Sequence, residues 1–263
     1  MALVFAAVTP HPPLLIPTIG REELNKVNQT KLAMEELAMS LYATHPDTII
    51  IISPHGSYFN EVFTINFCVD YVTDLRDFGD LATTLKFHGD AELAFRIRDA
   101  TKRQHLPATM ISENHLDHGT SVPLYYLTKN LPQIKLLQLG FCDLDYKTHV
   151  DFGGLIKELV MSTNKRVAVI ASGDLSHALT NDAPAGFNKR GPEFDAKIRE
   201  LLMSKNLTGM INIDPRIISE AAECGMRSIL ILLGMLQGIN YTFRELSYEA
   251  PFGVGYLTAQ FSL

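Results

Sequence analysis

Cysteine is scarce. The chain of 263 residues has three, Cys68, Cys142 and Cys224, and no two are close in sequence. That spacing argues against a disulfide framework and against a Cys-x-x-Cys zinc site, and it points to a reducing cytoplasm. Basic clusters are missing too: 29 acidic residues outweigh 23 basic ones, for a net charge of −6. Nucleic-acid affinity depends on neutralising phosphates, so no nucleic-acid partner is expected. No apolar run approaches the ~20 residues of a membrane span; the run Ile229–Leu236 is far too short. The apolar start, Met1–Val8, has no basic leader and no clear cleavage pattern, and reads as a strand, not a signal peptide.

What remains is an ordinary globular composition, 46% hydrophobic and 20% charged. Such a chain can bury a sizeable core without cross-links. Continuous β-branched or apolar runs at Leu3–Val8, Thr48–Ile52, Ile134–Leu139 and Val167–Ala171 predict strands buried on both faces. Helical periodicity is read over Glu22–Ala43, Ala91–Lys102, His149–Met161, Pro192–Met203 and Ser228–Gln237. Asp214-Pro215 is a helix start, a capping side chain followed by proline. Val62–Val69 reads as a strand, and Tyr241–Tyr248 and Val254–Phe261 as closing strands. Strands alternating with helices predict an α/β fold with a largely parallel central sheet flanked by helices. No repeat, low-complexity tract or linker appears, so residues 1–263 are expected to form a single domain.

Three histidines follow buried-strand patterns within a few residues. They are His11 in Thr9-Pro10-His11-Pro12-Pro13, His55 in Ser53-Pro54-His55-Gly56, and His177 in Ser172-Gly173-Asp174-Leu175-Ser176-His177. In open α/β sheets ligands bind beyond the carboxyl ends of the strands, where loops distant in sequence converge. One such histidine is an ordinary loop residue; three in the same topological position point to a metal or catalytic site. Proline beside two of them restricts the backbone, which suits a preorganised ligand. His118 precedes an apolar stretch at a glycine-containing turn. His45, His88, His105, His115 and His149 lie in polar stretches that read as exposed. A third ligand is sought in Ser219–Arg227. If that segment is helical, Glu220 shares a face with Glu223 and Cys224. Two histidines and a carboxylate form the facial set of non-haem Fe(II) oxygenases, whereas a thiolate shifts preference toward zinc or copper.

Taken together, these segments, with Asp117-His118-Gly119-Thr120-Ser121-Val122-Pro123-Leu124, Glu223-Cys224-Gly225-Met226-Arg227 and Tyr248–Tyr256, resemble the class III extradiol ring-cleavage dioxygenases, and more narrowly their catalytic LigB subunit. The resemblance spans essentially the whole chain. Memo-like proteins of the same superfamily are similar in Asp174-Leu175-Ser176-His177 and place a cysteine at Cys224, while the His118 segment follows the dioxygenase pattern.

The resemblance implies that His11 and His55 ligate Fe(II), with zinc or copper as alternative occupants. It implies Glu223 as the carboxylate ligand, ahead of Cys224 and Glu220. His177 becomes the acid/base and His118 the residue contacting bound oxygen and substrate. Asp174 either orients His177 or forms a polar wall. The implied activity is cleavage of a catechol-type aromatic diol with O2, by a homo-oligomer or with a small second subunit. Two other expectations are a Memo-like metal-binding protein without ring cleavage, and a metal-assisted hydrolase using His177 and Asp174. Tyr58, Phe59, Tyr125 and Phe187 are candidate pocket aromatics.

Overall fold

The computed structural model describes residues 2–263. The chain begins with β1 (Leu3–Thr9), a short α1 (Pro17–Gly20) and α2 (Asn28–Ala43), then β2 (Thr48–Ser53). A run of short strands follows: β3 (Phe63–Asn66), β4 (Asp70–Thr73), β5 (Lys86–Gly89), and, after α3 (Ala91–Arg103), β6 (Ala108–Ile111) and β7 (His115–Leu116). Next come α4 (His118–Leu127), β8 (Lys135–Gly140), α5 (Tyr146–Met161) and β9 (Val167–Ser172). Helices α6 (Arg190–Met203), α7 (Leu207–Ile211), α8 (Pro215–Ala221) and α9 (Met226–Leu236) lead to the closing strands β10 (Thr242–Glu249) and β11 (Tyr256–Ser262).

The strands form one sheet in the order β10-β11-β1-β9-β2-β8-β5-β4-β7. Its centre is parallel, β1 with β9, β9 with β2 and β2 with β8. Antiparallel pairs bring in β11 and β10 at one edge and join β4 to β5 near the other. The far edge of β8 is shared: β5 pairs near its start and β3 antiparallel at its end. The result is an α/β fold with a large mixed, mostly parallel sheet flanked by helices.

The uninterrupted apolar character of the central strands has a direct cause. Ile50 and Ile52 enter one core with Val169, Ala171 and residues of α3, α5, α6 and α9. Ile49 and Ile51 enter the other with Ala168, Ile170 and residues of α2 and α4. Both faces are covered, and each fully buried aliphatic side chain contributes about 1.5–3 kcal/mol, so polar residues on these strands fall at their ends or, like Gln138, are hydrogen-bonded to Asn66, Asp117 and Thr120. No helix among the described residues is long and apolar enough to cross a membrane.

Two elements differ from expectation. The helix read over Glu22–Ala43 is a 3-10 segment, Arg21–Val27, followed by α2, because Val27 leaves the helical region at φ −113°, ψ 31°. The strand read over Val62–Val69 stops at Asn66, whose side-chain oxygen accepts from the backbone N–H of Cys68 and Glu113. Chain direction changes there, and β4 begins at Asp70.

Candidate metal centre

Register places the tips of three neighbouring strands at one level. Thr9 pairs with Ser172, and Ile52 pairs with Ala171, which sets Ser53 beside Ser172. These three hydroxyl residues are buried, and from them the chain leads to His11, His177 and His55. His11 and His55 turn toward each other, Nε2 to Nε2 at 3.0 Å. His118, the first residue of α4, stacks on His55 with ring centroids 4.2 Å apart and meets His11 edge-on at 5.4 Å. One ring nitrogen from each of His11, His55 and His118 lies within 4.8 Å of the others.

Asp117 sets this corner. Its carboxylate caps α4 by accepting from the N–H of Thr120, and also accepts from the Ser53 hydroxyl at 2.6 Å and from Gln138 Nε2 at 2.6 Å. The helix start carrying His118 is thereby tied to the strand tip carrying His55. Gly119 permits the approach, since a Cβ there would lie 2.5 Å from Ser53 Oγ.

Burial is the first cause of every histidine shift in the cluster. It holds His11 well below the ordinary 6.5, with further lowering from His55, His118 and His177. Burial, then His118, brings His55 down to about 4 despite the opposing carboxylate of Asp117. Burial likewise lowers His118 and His177. All four are therefore neutral at pH 7, the state that can donate a lone pair to a metal. His177 Nδ1 lies 3.1 Å from the Leu175 carbonyl, which can only accept. That contact puts the proton on Nδ1, and the Ala222 backbone is a second hydrogen-bonding neighbour of the ring.

The acidic and thiol candidates are placed differently from one another. Asp174 turns toward His11, not His177: Oδ1 accepts from the His11 backbone N–H at 2.9 Å, and Oδ2 lies 3.9 Å from His11 Nε2. Burial pushes its carboxyl up to about 7. The shared helical face expected for Glu220, Glu223 and Cys224 does not form. Helix α8 ends at Ala221, and Ala222 adopts a left-handed conformation at φ 51°. Glu220 is left exposed. Glu223, raised to about 7 by burial, accepts from the Met226 backbone N–H at 2.6 Å and so caps α9. The Cys224 sulfur lies 3.6 Å from His11 Nε2, and burial holds its thiol well above the usual pKa.

The turn carrying Glu223 and Cys224 is locked to the His177 loop by two glycines. A Cβ on Gly173 would sit 2.1 Å from the Gly225 Cα, and both partners are backbone. Gly173→Ala is therefore expected to destabilise the protein by about 1–3 kcal/mol, the range for overpacking a rigid site. Urea denaturation checks this; an unchanged midpoint would show that the two segments are not in contact.

Beside the histidines an open cleft of about 620 Å³ is lined by His55, Ser57, Asp77, Phe78, Glu113 and His118, among others. Phe78 packs against His118 at 4.9 Å. None of Tyr58, Phe59, Tyr125 and Phe187 lines this cleft; Tyr58, Phe59 and Phe187 are exposed and Tyr125 packs against the α2/α4 core. His149 is fully buried, not exposed as its polar neighbours suggested. Its nitrogens face the carbonyls of Asp145 and Cys142, and its ring packs against Phe63, far in role from the strand tips. His45, His88, His105 and His115 are exposed.

The family model for the catalytic LigB subunit of aromatic ring-opening dioxygenase matches residues 5–259. Among curated proteins, "Protein CA_C1420" of Clostridium acetobutylicum is 33% identical over 94% of this chain, which spans 55% of that relative's length. A 3,4-dihydroxyphenylacetate 2,3-dioxygenase of Escherichia coli is 26% identical, covering 74% of this chain and 75% of the relative. A MEMO1 family protein of Methanosarcina mazei is also 26% identical, covering 75% of this chain and 66% of the relative. Among solved structures, an uncharacterized protein of Escherichia coli K12, JW3007, shares the fold, with a TM-score of 0.66 at 17% identity over 98% of this chain and 99% of that one.

Proposed function

From the premise that the chain belongs to the LigB family of aromatic ring-opening dioxygenase subunits, we propose that it is a metal-dependent extradiol dioxygenase acting on a catechol-type diol with O2. The observation that carries this reading is the pair of imidazole nitrogens, His11 Nε2 and His55 Nε2, facing each other at 3.0 Å. Two nitrogens bound at ~2.0–2.1 Å to one ion stand roughly 2.9–3.4 Å apart at right-angled to tetrahedral geometry. The donors also fit chemically, since both rings are held neutral. His11 and His55 would hold the ion; Fe(II) is the occupant the activity requires, and zinc or copper also suit imidazole.

When bound, the metal would supply Lewis acidity toward the diol and, as iron, redox capacity toward O2. The protein's own contribution is proton handling and positioning. His177, held neutral and oriented by the Leu175 carbonyl at Nδ1, accepts a proton from a substrate hydroxyl. His118, held at the start of α4 by the Asp117 cap, donates a hydrogen bond to negative charge developing on oxygen. Asp174, its carboxyl pushed up to about 7 by burial, offers a second proton-exchanging group beside His11. The open cleft against His55 and His118 gives the ring a place to lie. Anaerobic Fe(II) loading followed by catechol, protocatechuate and related diols with O2 tests the activity. A yellow ring-cleavage product supports it; its absence across the panel from iron-loaded protein contradicts it.

A second reading, a Memo-like metal-binding protein without ring cleavage, is favoured by one observation: the Cys224 sulfur stands 3.6 Å from His11 Nε2, whereas Glu223 is engaged in capping α9. The pH dependence of metal affinity separates the two. Ligation by Cys224 displaces a proton from a thiol whose pKa is raised, so affinity should rise about tenfold per pH unit across pH 5–8. Ligation by Glu223 displaces a proton only below about 7, so the rise should level off above that pH. The histidines add little slope until pH approaches 4, where His55 takes up its proton. Competition titrations at several pH values give the slope, and a plateau above 7 is expected for the dioxygenase. A metal-assisted hydrolase gains no support, because the Asp174 carboxylate faces His11 and does not pair with His177.

A further inference from the structure

The His11 ring has a second contact, on the side away from His55. Its Nδ1 lies 2.9 Å from the hydroxyl oxygen of Ser172, the last residue of β9. Neither group has access to water: Ser172 is 0% and His11 2% exposed. A hydroxyl carries a single hydrogen. That of Ser172 is committed elsewhere, because its oxygen also lies 2.5 Å from the carbonyl oxygen of Gly119, which can only accept. With its hydrogen on Gly119, Ser172 can meet His11 Nδ1 only as an acceptor. His11 must then carry its hydrogen on Nδ1, and its Nε2 is a bare lone pair aimed at His55.

We propose that Ser172 is a positioning residue of the metal centre. It fixes His11 in the Nδ1–H tautomer, so that Nε2 is presented to the ion in advance. Through the Gly119 carbonyl, the same hydroxyl ties the His11 ring to the start of α4, one residue from His118. Three segments that are distant in sequence are thus joined by one oxygen at the centre of the sheet. Hydrogen bonds of this kind, from the far nitrogen of a ligating histidine to a fixed acceptor, typically alter metal affinity by 10–100-fold when lost. A serine provides this only if its own hydrogen has another fixed partner, which Gly119 supplies here. The sequence signal was present in Ser172-Gly173-Asp174, but hydroxyls at strand ends are common, and the pairing depends on β9 lying beside β1.

The inference rests on the reading that His11 is a ligand, and its test separates the two. In metal-free wild-type protein, nitrogen-15 NMR of the histidine rings, with His11 assigned from its loss in His11→Gln, should show Nδ1 protonated and Nε2 bare. Ser172→Ala should leave His11 in a mixture of tautomers and weaken zinc binding 10–100-fold in a competition titration. Ser172→Thr, which keeps the hydroxyl, should restore affinity to within a few-fold of wild type. An Nε2–H tautomer at His11 in the wild type overturns the Ser172 assignment without recourse to any variant. So does a Ser172→Ala protein that binds zinc as tightly as wild type. Failure of the wild type to bind metal, with His11 still in the Nδ1–H form, overturns the metal reading and not the tautomer.

Discussion

His177→Ala should retain stoichiometric metal and lose ring-cleavage turnover by about 10²–10⁴-fold, the range for removing a positioned acid or base. The expectation comes from the way His177 is held. Its backbone N–H donates to the Ala221 carbonyl at 2.9 Å, and its Nδ1 faces the Leu175 carbonyl at 3.1 Å. The first bond fixes the loop, and the second fixes the tautomer. The ring is close enough to lower the pKa of both His11 and His55, and it is absent from the group whose nitrogens converge. A residue so placed can serve the reaction without holding the ion. Single-turnover kinetics on iron-loaded protein, with metal content measured on the same sample, gives both quantities. Loss of metal together with turnover would move His177 into the ligand set; unchanged turnover would remove it from the chemistry.

The second large effect concerns the ion. His11→Ala and His55→Ala should each reduce metal affinity by more than the 10–100-fold typical of outer contacts, because each removes a donor atom. The folding consequences should differ. His11 is buried and bonded through Ser172, so its truncation leaves the Ser172 oxygen without a donor and should cost about 1–3 kcal/mol. The His55 side chain is exposed on the cleft and gives up its contacts with His118 and His11, so its metal-free variant should lose less stability than His11→Ala. Metal titration and chemical denaturation of the metal-free variants check both parts. A His55→Ala protein that binds metal normally would place the site elsewhere.

How much of this was legible follows from where the information resides. Strands buried on both faces read as continuous apolar runs, so β1, β2, β8 and β9 could be anticipated, and the runs of β1 and β2 each ended at a Pro-His pair, which pointed to the convergence of His11 and His55. The short strands β4, β5, β6 and β7 were not read, because four or fewer residues on a partly exposed edge carry no clear alternation. Asp117 belonged to a quoted motif, but its four acceptor contacts depend on Ser53, Thr120 and Gln138, which only folding brings together. The face expected for Glu220, Glu223 and Cys224 failed on a single residue: Ala222 is left-handed without being glycine or asparagine, and nothing local in the sequence signals that. His149 reads as exposed because its neighbours are polar, whereas α5 turns it inward onto Phe63 and Phe141. Asp174 could be located near the site but not aimed, since its direction is set by the His11 backbone N–H on another strand tip.

X-ray absorption spectroscopy of metal-loaded wild-type protein tests the central claim most directly. Imidazole scattering from at least two histidines at ~2.0–2.1 Å is expected, reduced by one in His11→Ala and in His55→Ala. A sulfur shell at ~2.3 Å would assign the third position to Cys224. A spectrum with oxygen donors only, unchanged in both variants, would contradict the proposal that these two strand-tip histidines hold the ion.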